Sequence, residues 1–311
     1  MSKILIKNAL IVNEGKKHNS DVLIQNDIIF KISKNIIQNK DFKIIDATNK
    51  ILIPGIIDDQ VHFREPGLTY KASIETESRA AVAGGTTSYI EMPNTLPNTT
   101  TIKELERKFS IAEKKSYANF SFMFGGTNDN LDEIIKLDKN KVAALKLFLG
   151  SSTGNMLVDN EEVLEEIFKK SNLLIAVHSE DEKIIRQNLE FYKNKYGNDI
   201  PFSFHPKIRS EESCLKSTKK IIKLAQKTGA RLHVFHLSTK SETKLFNNKI
   251  PLDKKRITSE VCVHHLWFCD DDYVDKKSLI KWNPAIKTKK DREGLWEALN
   301  DDRIDVIATD H

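Results

Sequence analysis

The chain has 311 residues, 39% hydrophobic and 30% charged, a balance that excludes a disordered or fibrous protein and suits one large domain with or without a small satellite. No apolar run approaches the ~20 residues of a membrane span, and the opening MSKILIKNALIVNEGKK lacks the apolar core and cleavage site of a signal peptide. The net charge of +5 is spread over lysine-rich helix faces such as Lys216 to Lys220, with no interleaved aromatics, so neither a nucleic-acid nor a membrane partner is expected.

The first fifty residues carry short β-branched runs: Ile4–Ile6, Ala9–Val12, Val22–Ile24, Ile28–Ile32 and Ile44–Ile45. Turn residues such as Asn13, Gly15 and Asn26-Asp27 separate them. They predict a small β-sandwich portion over residues 1–52, too small to bury much of a core alone. From about residue 53 to 311 short apolar runs alternate with helical stretches, the pattern of βα units around a parallel sheet. Eight runs are strand candidates: Ile56–His62, Thr87–Met92, Phe120–Phe124, Val142–Phe148, Leu173–His178, Leu232–His236, Ile257–Val263 and Val306–Asp310. Helices are expected over Ser73–Ala83, Ile102–Lys115, Asn160–Lys170, Glu211–Lys227 and Asp291–Asn300. Gly84 and Gly229 fall where helix C-caps belong, and the stretch from Asp181 to Arg209 reads as a helix and loop. A (β/α)8 barrel of ~250 residues fits the length. No helical stretch follows the eighth run before the sequence stops at His311. The barrel therefore reads as incomplete after strand 8, in a fragment of a longer protein expected to be inactive and poorly folded.

Six of the eight runs end in or beside a residue able to bind metal or move protons: His62, Lys146, His178, His236, the pair His264-His265, and Asp310. In a (β/α)8 barrel the C-terminal strand ends form one active-site face, so these residues would converge. A buried ionisable group closing an apolar strand is costly unless paired or metal-bound. A carboxylate with three histidines suits zinc, which lowers the pKa of bound water to roughly 7. Asp310 can hold the proton that an attacking water loses and pass it to a departing nitrogen. Lys146 reads as a substrate anchor, as an ion-pair partner of Asp310, or as a lysine carbamate bridging two metals. Arg64, two residues past His62, suits a substrate carboxylate. Asn94 and Asn283 lie where loops leave strands two and seven, and each reads equally as a turn residue. The three cysteines, Cys214, Cys262 and Cys269, are widely spaced without a CxxC, which argues for a reducing cytoplasm and against a disulfide framework.

Several segments carry a family likeness. Asp58-Asp59-Gln60-Val61-His62-Phe63-Arg64-Glu65-Pro66-Gly67 resembles the opening motif of dihydroorotases, and Glu91-Met92-Pro93-Asn94-Thr95 their second-strand motif. Leu145-Lys146-Leu147-Phe148, Ala176 to Asp181, His233 to His236, Val263 to Leu266, Asn283-Pro284 and Ala308 to His311 follow in family order. The resemblance implies interconversion of L-dihydroorotate and N-carbamoyl-L-aspartate in pyrimidine synthesis, with one or two zinc ions. It implies His62, Lys146 (carboxylated on its amine), His178, His236 and Asp310 as metal ligands, and Asp310 also as the acid–base residue. It implies Arg64, Asn94 and Asn283 as substrate-binding residues. Gln60 stands where the family usually has a histidine, so one metal site is expected to be weak or differently built. A homodimer is a further expectation. The rival readings are an allantoinase or hydantoinase, and a non-catalytic scaffold subunit of aspartate transcarbamoylase.

Overall fold

The computed structural model describes residues 3–150 and 156–311. Two compact units divide at Ile56/Ile57. The first is one five-stranded mixed sheet. Strands β1 (Lys3–Asn13), β2 (Lys16–Gln25), β3 (Ile28–Ser33) and β4 (Phe42–Asp46) lie in the order β3-β2-β1-β4, and β5 (Ile51–Leu52) pairs with β1. The turns Glu14-Gly15 and Asn26-Asp27 each hold two positive-φ residues, the hairpin geometry whose twist matches the flanking strands. Ile4–Ile6 and Ala9–Val12 belong to one strand, interrupted by a register shift between Ile6 and Ala9.

The second unit is built on eight parallel strands in sequential order: β6 (Ile56–Val61), β7 (Thr86–Glu91), β8 (Asn119–Gly125), β9 (Ala144–Phe148), β10 (Ile175–His178), β11 (Leu232–Val234), β12 (Ile257–Cys262) and β13 (Val306–Ala308). The ring is drawn shut just beyond the first and last strands. His62 N–H donates to the His311 carbonyl at 2.5 Å, and Asp310 N–H to the Gln60 carbonyl at 2.9 Å. Asp58 adds a side-chain link, accepting from the Thr309 hydroxyl at 2.6 Å and the Thr309 N–H at 3.2 Å.

The helices are α1 (Ile74–Gly84), α2 (Ile102–Lys115), α3 (Leu131–Ile134), α4 (Glu161–Lys170), α5 (Glu182–Tyr196), α6 (His205–Ile208), α7 (Glu211–Thr228), α8 (Lys240–Thr243), α9 (Val263–Trp267), α10 (Tyr273–Lys276) and α11 (Lys289–Asn300). The helix α4 illustrates how local sequence sets them. The Asn160 side chain caps it by accepting from the N–H groups of Glu162 and Val163, acids fill the first turn and lysines the last. Leu164, Ile167 and Phe168 then share the buried face. The cap of α1 is Gly85 (φ 94°) rather than Gly84, while Gly229 (φ 72°) ends α7 as expected. One large core joins strands and helices, and a smaller cluster of Met92, Met123, Ala144, Ala176 and Phe235 packs separately.

Candidate functional site

Three expected site residues lie just past strand ends with left-handed backbones: Arg64 (φ 69°), His236 (φ 39°) and Asp310 (φ 53°). For non-glycine residues this conformation costs about 1–2 kcal/mol each, and it persists only where neighbours over-determine it. Hydrogen bonds do so here. Asp310 N–H is held by the Gln60 carbonyl, and His236 N–H donates to Glu260 Oε1 at 3.2 Å. The strands β11 and β13 therefore stop earlier than the apolar runs suggest, because the chain turns to aim these side chains.

The structure gathers the expected ligands as two pairs around one lysine. His62 Nε2 lies 3.1 Å from Asp310 Oδ1. His178 Nδ1 lies 3.1 Å from His236 Nε2, with the rings edge to face. Lys146, on β9, is fully buried, its ammonium 4.0 Å from the ring centre of Phe235 and 4.7 Å from that of Phe148. Among the described residues it ion-pairs with no carboxylate. Burial pushes its pKa down to about 7, against the pull of Asp310, Glu260, Cys262 and Asp59. Burial also holds His62, His178 and His236 below the usual imidazole range, and the lysine charge adds to each shift. Burial opposes ionisation of Asp310, but His62 prevails and its carboxyl stays below the usual range. The site thus holds imidazoles and an amine whose basicity burial lowers, beside a carboxylate that His62 keeps acidic.

The far side of His178 is braced. Its Nε2 lies 2.8 Å from Glu180, whose carboxylate also takes two hydrogen bonds from Arg209. Burial opposes that charge, yet Arg209 and then His178 hold the Glu180 pKa well down. With Nε2–H given to Glu180, the Nδ1 of neutral His178 presents a lone pair. His236 Nε2–H then donates to it, leaving the buried Nδ1 of His236 without a partner among the described residues. Among the same residues the buried Nδ1 of His62 has no partner either. Such orphaned nitrogens are uncommon in native interiors and fit a cation-binding centre.

The remaining expected residues divide. Arg64 is half-buried and Asn94 buried, and the Arg64 charge reaches His62. Asn283 is exposed, on a loop held by hydrogen bonds from His205 to the Trp282 carbonyl (2.7 Å) and from His265 to the Pro284 carbonyl (3.1 Å). Gln60 is buried, its side-chain oxygen accepting from the Cys262 thiol at 3.5 Å. Among the described residues, groups of three ligand atoms within 4.8 Å occur at Cys262–His264–His265, Asp59–His233–Glu260 and Cys269–Asp270–Asp271. None is the expected ligand set. In the second, His233 lies 3.1 Å from Glu260, and burial, with Glu260 adding, lifts Asp59 to about 8. Sequence reasoning passed over Glu180, Arg209 and Glu260. Glu180, two residues beyond His178, was the most accessible, since a carboxylate beside a ligand histidine is a recurrent brace.

The Amidohydrolase family model matches residues 51–311. A dihydroorotase of Methanosarcina acetivorans is 33% identical, across 100% of this chain and 67% of its own length. A dihydroorotase of Lactobacillus acidophilus is 33% identical, across 99% of this chain and 71% of its own. Among solved structures, the L-hydantoinase (dihydropyrimidinase) of Arthrobacter aurescens superposes with a TM-score of 0.92 at 26% identity, covering 100% of this chain and 69% of that one. The chain therefore belongs to the amidohydrolase family and, within it, to the dihydroorotase group of hydrolases.

Proposed function

We propose that this chain is a dihydroorotase that opens and closes the ring amide between L-dihydroorotate and N-carbamoyl-L-aspartate, in the making of pyrimidines. The similarity to dihydroorotases over the whole chain supports this reading, and the observation that carries it is the convergence of His62–Asp310 and His178–His236 on the buried Lys146. His62, Lys146, His178, His236 and Asp310 would hold a divalent metal, zinc by the chemistry of the donors. When bound, that ion supplies hydroxide at neutral pH and polarises the amide carbonyl. The lowered pKa of Lys146 keeps a share of its amine neutral, the form that reacts with carbon dioxide to give a carbamate. That reaction would turn a repulsive cation into an anionic ligand. Gln60, engaged with Cys262, leaves the first strand with one imidazole ligand in His62.

The other groups act on substrate and protons. Asp310, held as a carboxylate, accepts the proton of the attacking water and returns it to the departing ring nitrogen. Arg64 holds the substrate carboxylate, while Asn94 and Asn283 orient the ring. Dihydroorotate carries that carboxylate and simple hydantoins do not. Ring opening of L-dihydroorotate by zinc-loaded protein, measured beside hydantoin, dihydrouracil and allantoin, tests the reading. Turnover of dihydroorotate at least tenfold above the others is expected, on the order of one lost charge-assisted contact. Preferred turnover of hydantoin or dihydrouracil would move the chain to the hydantoinases, and inertness towards all four would sink the enzyme reading.

A further inference from the structure

Helix α2 sends two lysines to the loops that carry Arg64 and Asn94. Lys108 and Lys115 are seven residues apart, so they share a face of the helix about 10 Å apart along its axis. Lys108 is fully buried. Its ammonium donates to the Met92 carbonyl at 2.8 Å, pairs with the Glu91 carboxylate and lies over the Phe122 ring. Glu91 ends β7; burial raises its pKa, against the pull of Lys108 and, more weakly, of Arg64. Lys115 reaches Glu65, the residue after Arg64, at 2.5 Å. The other Glu65 oxygen accepts from the first N–H of α1 at 3.0 Å.

The two loops are also fastened to each other. Met92 N–H donates to the Val61 carbonyl at 2.9 Å, and Leu96 N–H to the Pro66 carbonyl at 3.0 Å. Gly67 (φ 82°) packs so closely that a Cβ there would sit 1.9 Å from the Leu96 carbonyl oxygen. The loops of Arg64 and Asn94 are therefore joined to each other, and α2 holds both through its two lysines. A buried ion pair is a weak source of stability, since apolar residues of similar volume often serve as well. What the two lysines add is a tether on each loop: Lys108 holds the end of β7 through Glu91 and the Met92 carbonyl, and Lys115 holds Glu65, next to Arg64, whose backbone sits in the left-handed region and needs such restraint.

We propose that Lys108 and Lys115, through Glu91 and Glu65, are positioning residues that set the placement of the substrate-anchoring loops. The inference rests on the reading of Arg64 as the anchor of the substrate carboxylate. The test is steady-state kinetics of the zinc-loaded full chain with L-dihydroorotate, alongside thermal melts. Lys115→Met removes the half-exposed arm and is expected to fold. The double variant Lys108→Met/Glu91→Leu removes both buried charges together and leaves neither unpaired. In each, KM should rise about tenfold or more while kcat changes less than about threefold, the signature of lost uniform binding. Lys115→Arg should restore KM, because the charge and reach return. An unchanged KM in Lys115→Met, or failure of arginine to rescue, overturns the proposal even if the double variant does not fold. Arg64→Met separates the two readings. If it raises KM and the lysine variants do not, α2 has no positioning role. If Arg64→Met itself leaves KM unchanged, the anchor reading fails first.

Discussion

At the scale of single residues, the site is governed by what burial does to each group and which neighbour opposes it. Asp310 stays ionised because His62 outweighs desolvation, so it is the group fit to take a proton at neutral pH. Asp310→Asn keeps the shape and a residue type that tolerates positive φ, but removes the base. We expect kcat to fall about 10²–10⁴-fold, read from steady-state rates with metal content measured in parallel. Glu180 acts one step back, bracing His178 and neutralising Arg209. Glu180→Gln breaks the buried ion pair with Arg209, which costs about 3–5 kcal/mol. It should also weaken metal binding roughly 10–100-fold. Thermal melts and chelator competition would read the two effects. Unchanged metal affinity would mean that His178 needs no brace.

At the scale of elements, the strands that carry site residues deliver them through alternation and length, and the longer helices pack an apolar face inward. The helix α4 makes the point, with Leu164, Ile167 and Phe168 at the 3.6-residue period on its inner face. Phe168 is buried in the main core. Phe168→Ala should destabilise by about 3–5 kcal/mol, measured by chemical denaturation, while leaving KM of the surviving fraction unchanged because the residue belongs to the main core on α4. The elements that stop short are as informative. The strands β11 and β13 end before His236 and Asp310, where the left-handed turn aims the side chains.

At the scale of the molecule, closure of the ring and pinning of its loops link distant parts of the chain. Thr309 closes on Asp58, and His205, on α6, pins the loop of Asn283 through the Trp282 carbonyl. Burial lowers the His205 pKa from 6.5 to about 4, against the raising effect of that hydrogen bond. The unfolded chain therefore takes up the proton first. The stabilisation is complete above about pH 6.5 and is lost as pH falls towards 4, up to about 3 kcal/mol. Stability measured against pH should show a steeper acid limb in the parent chain than in His205→Gln. Parallel limbs would mean that His205 titrates alike in both states.

The order of βα units, the helix over Ile102–Lys115 and the placing of His62, His178, His236 and Asp310 at or just past strand ends were legible in the sequence, whereas Lys146 lies within β9. Periodicity and the position of a residue in its run are local properties, and a parallel barrel converts run ends into one face. What tertiary structure alone decided was the company each residue keeps. It split the expected ligands into two pairs around a lysine that ion-pairs with no carboxylate among the described residues, gave Glu180 to His178 and Arg209, set Gln60 against Cys262, and put Asn283 on an exposed loop. It also brought Lys108 and Lys115 behind the Arg64 loop. The physical reason is range. Chain periodicity follows from backbone geometry over a few residues, whereas charge pairing and desolvation depend mostly on groups tens to hundreds of positions apart, which meet only when the strands and helices pack.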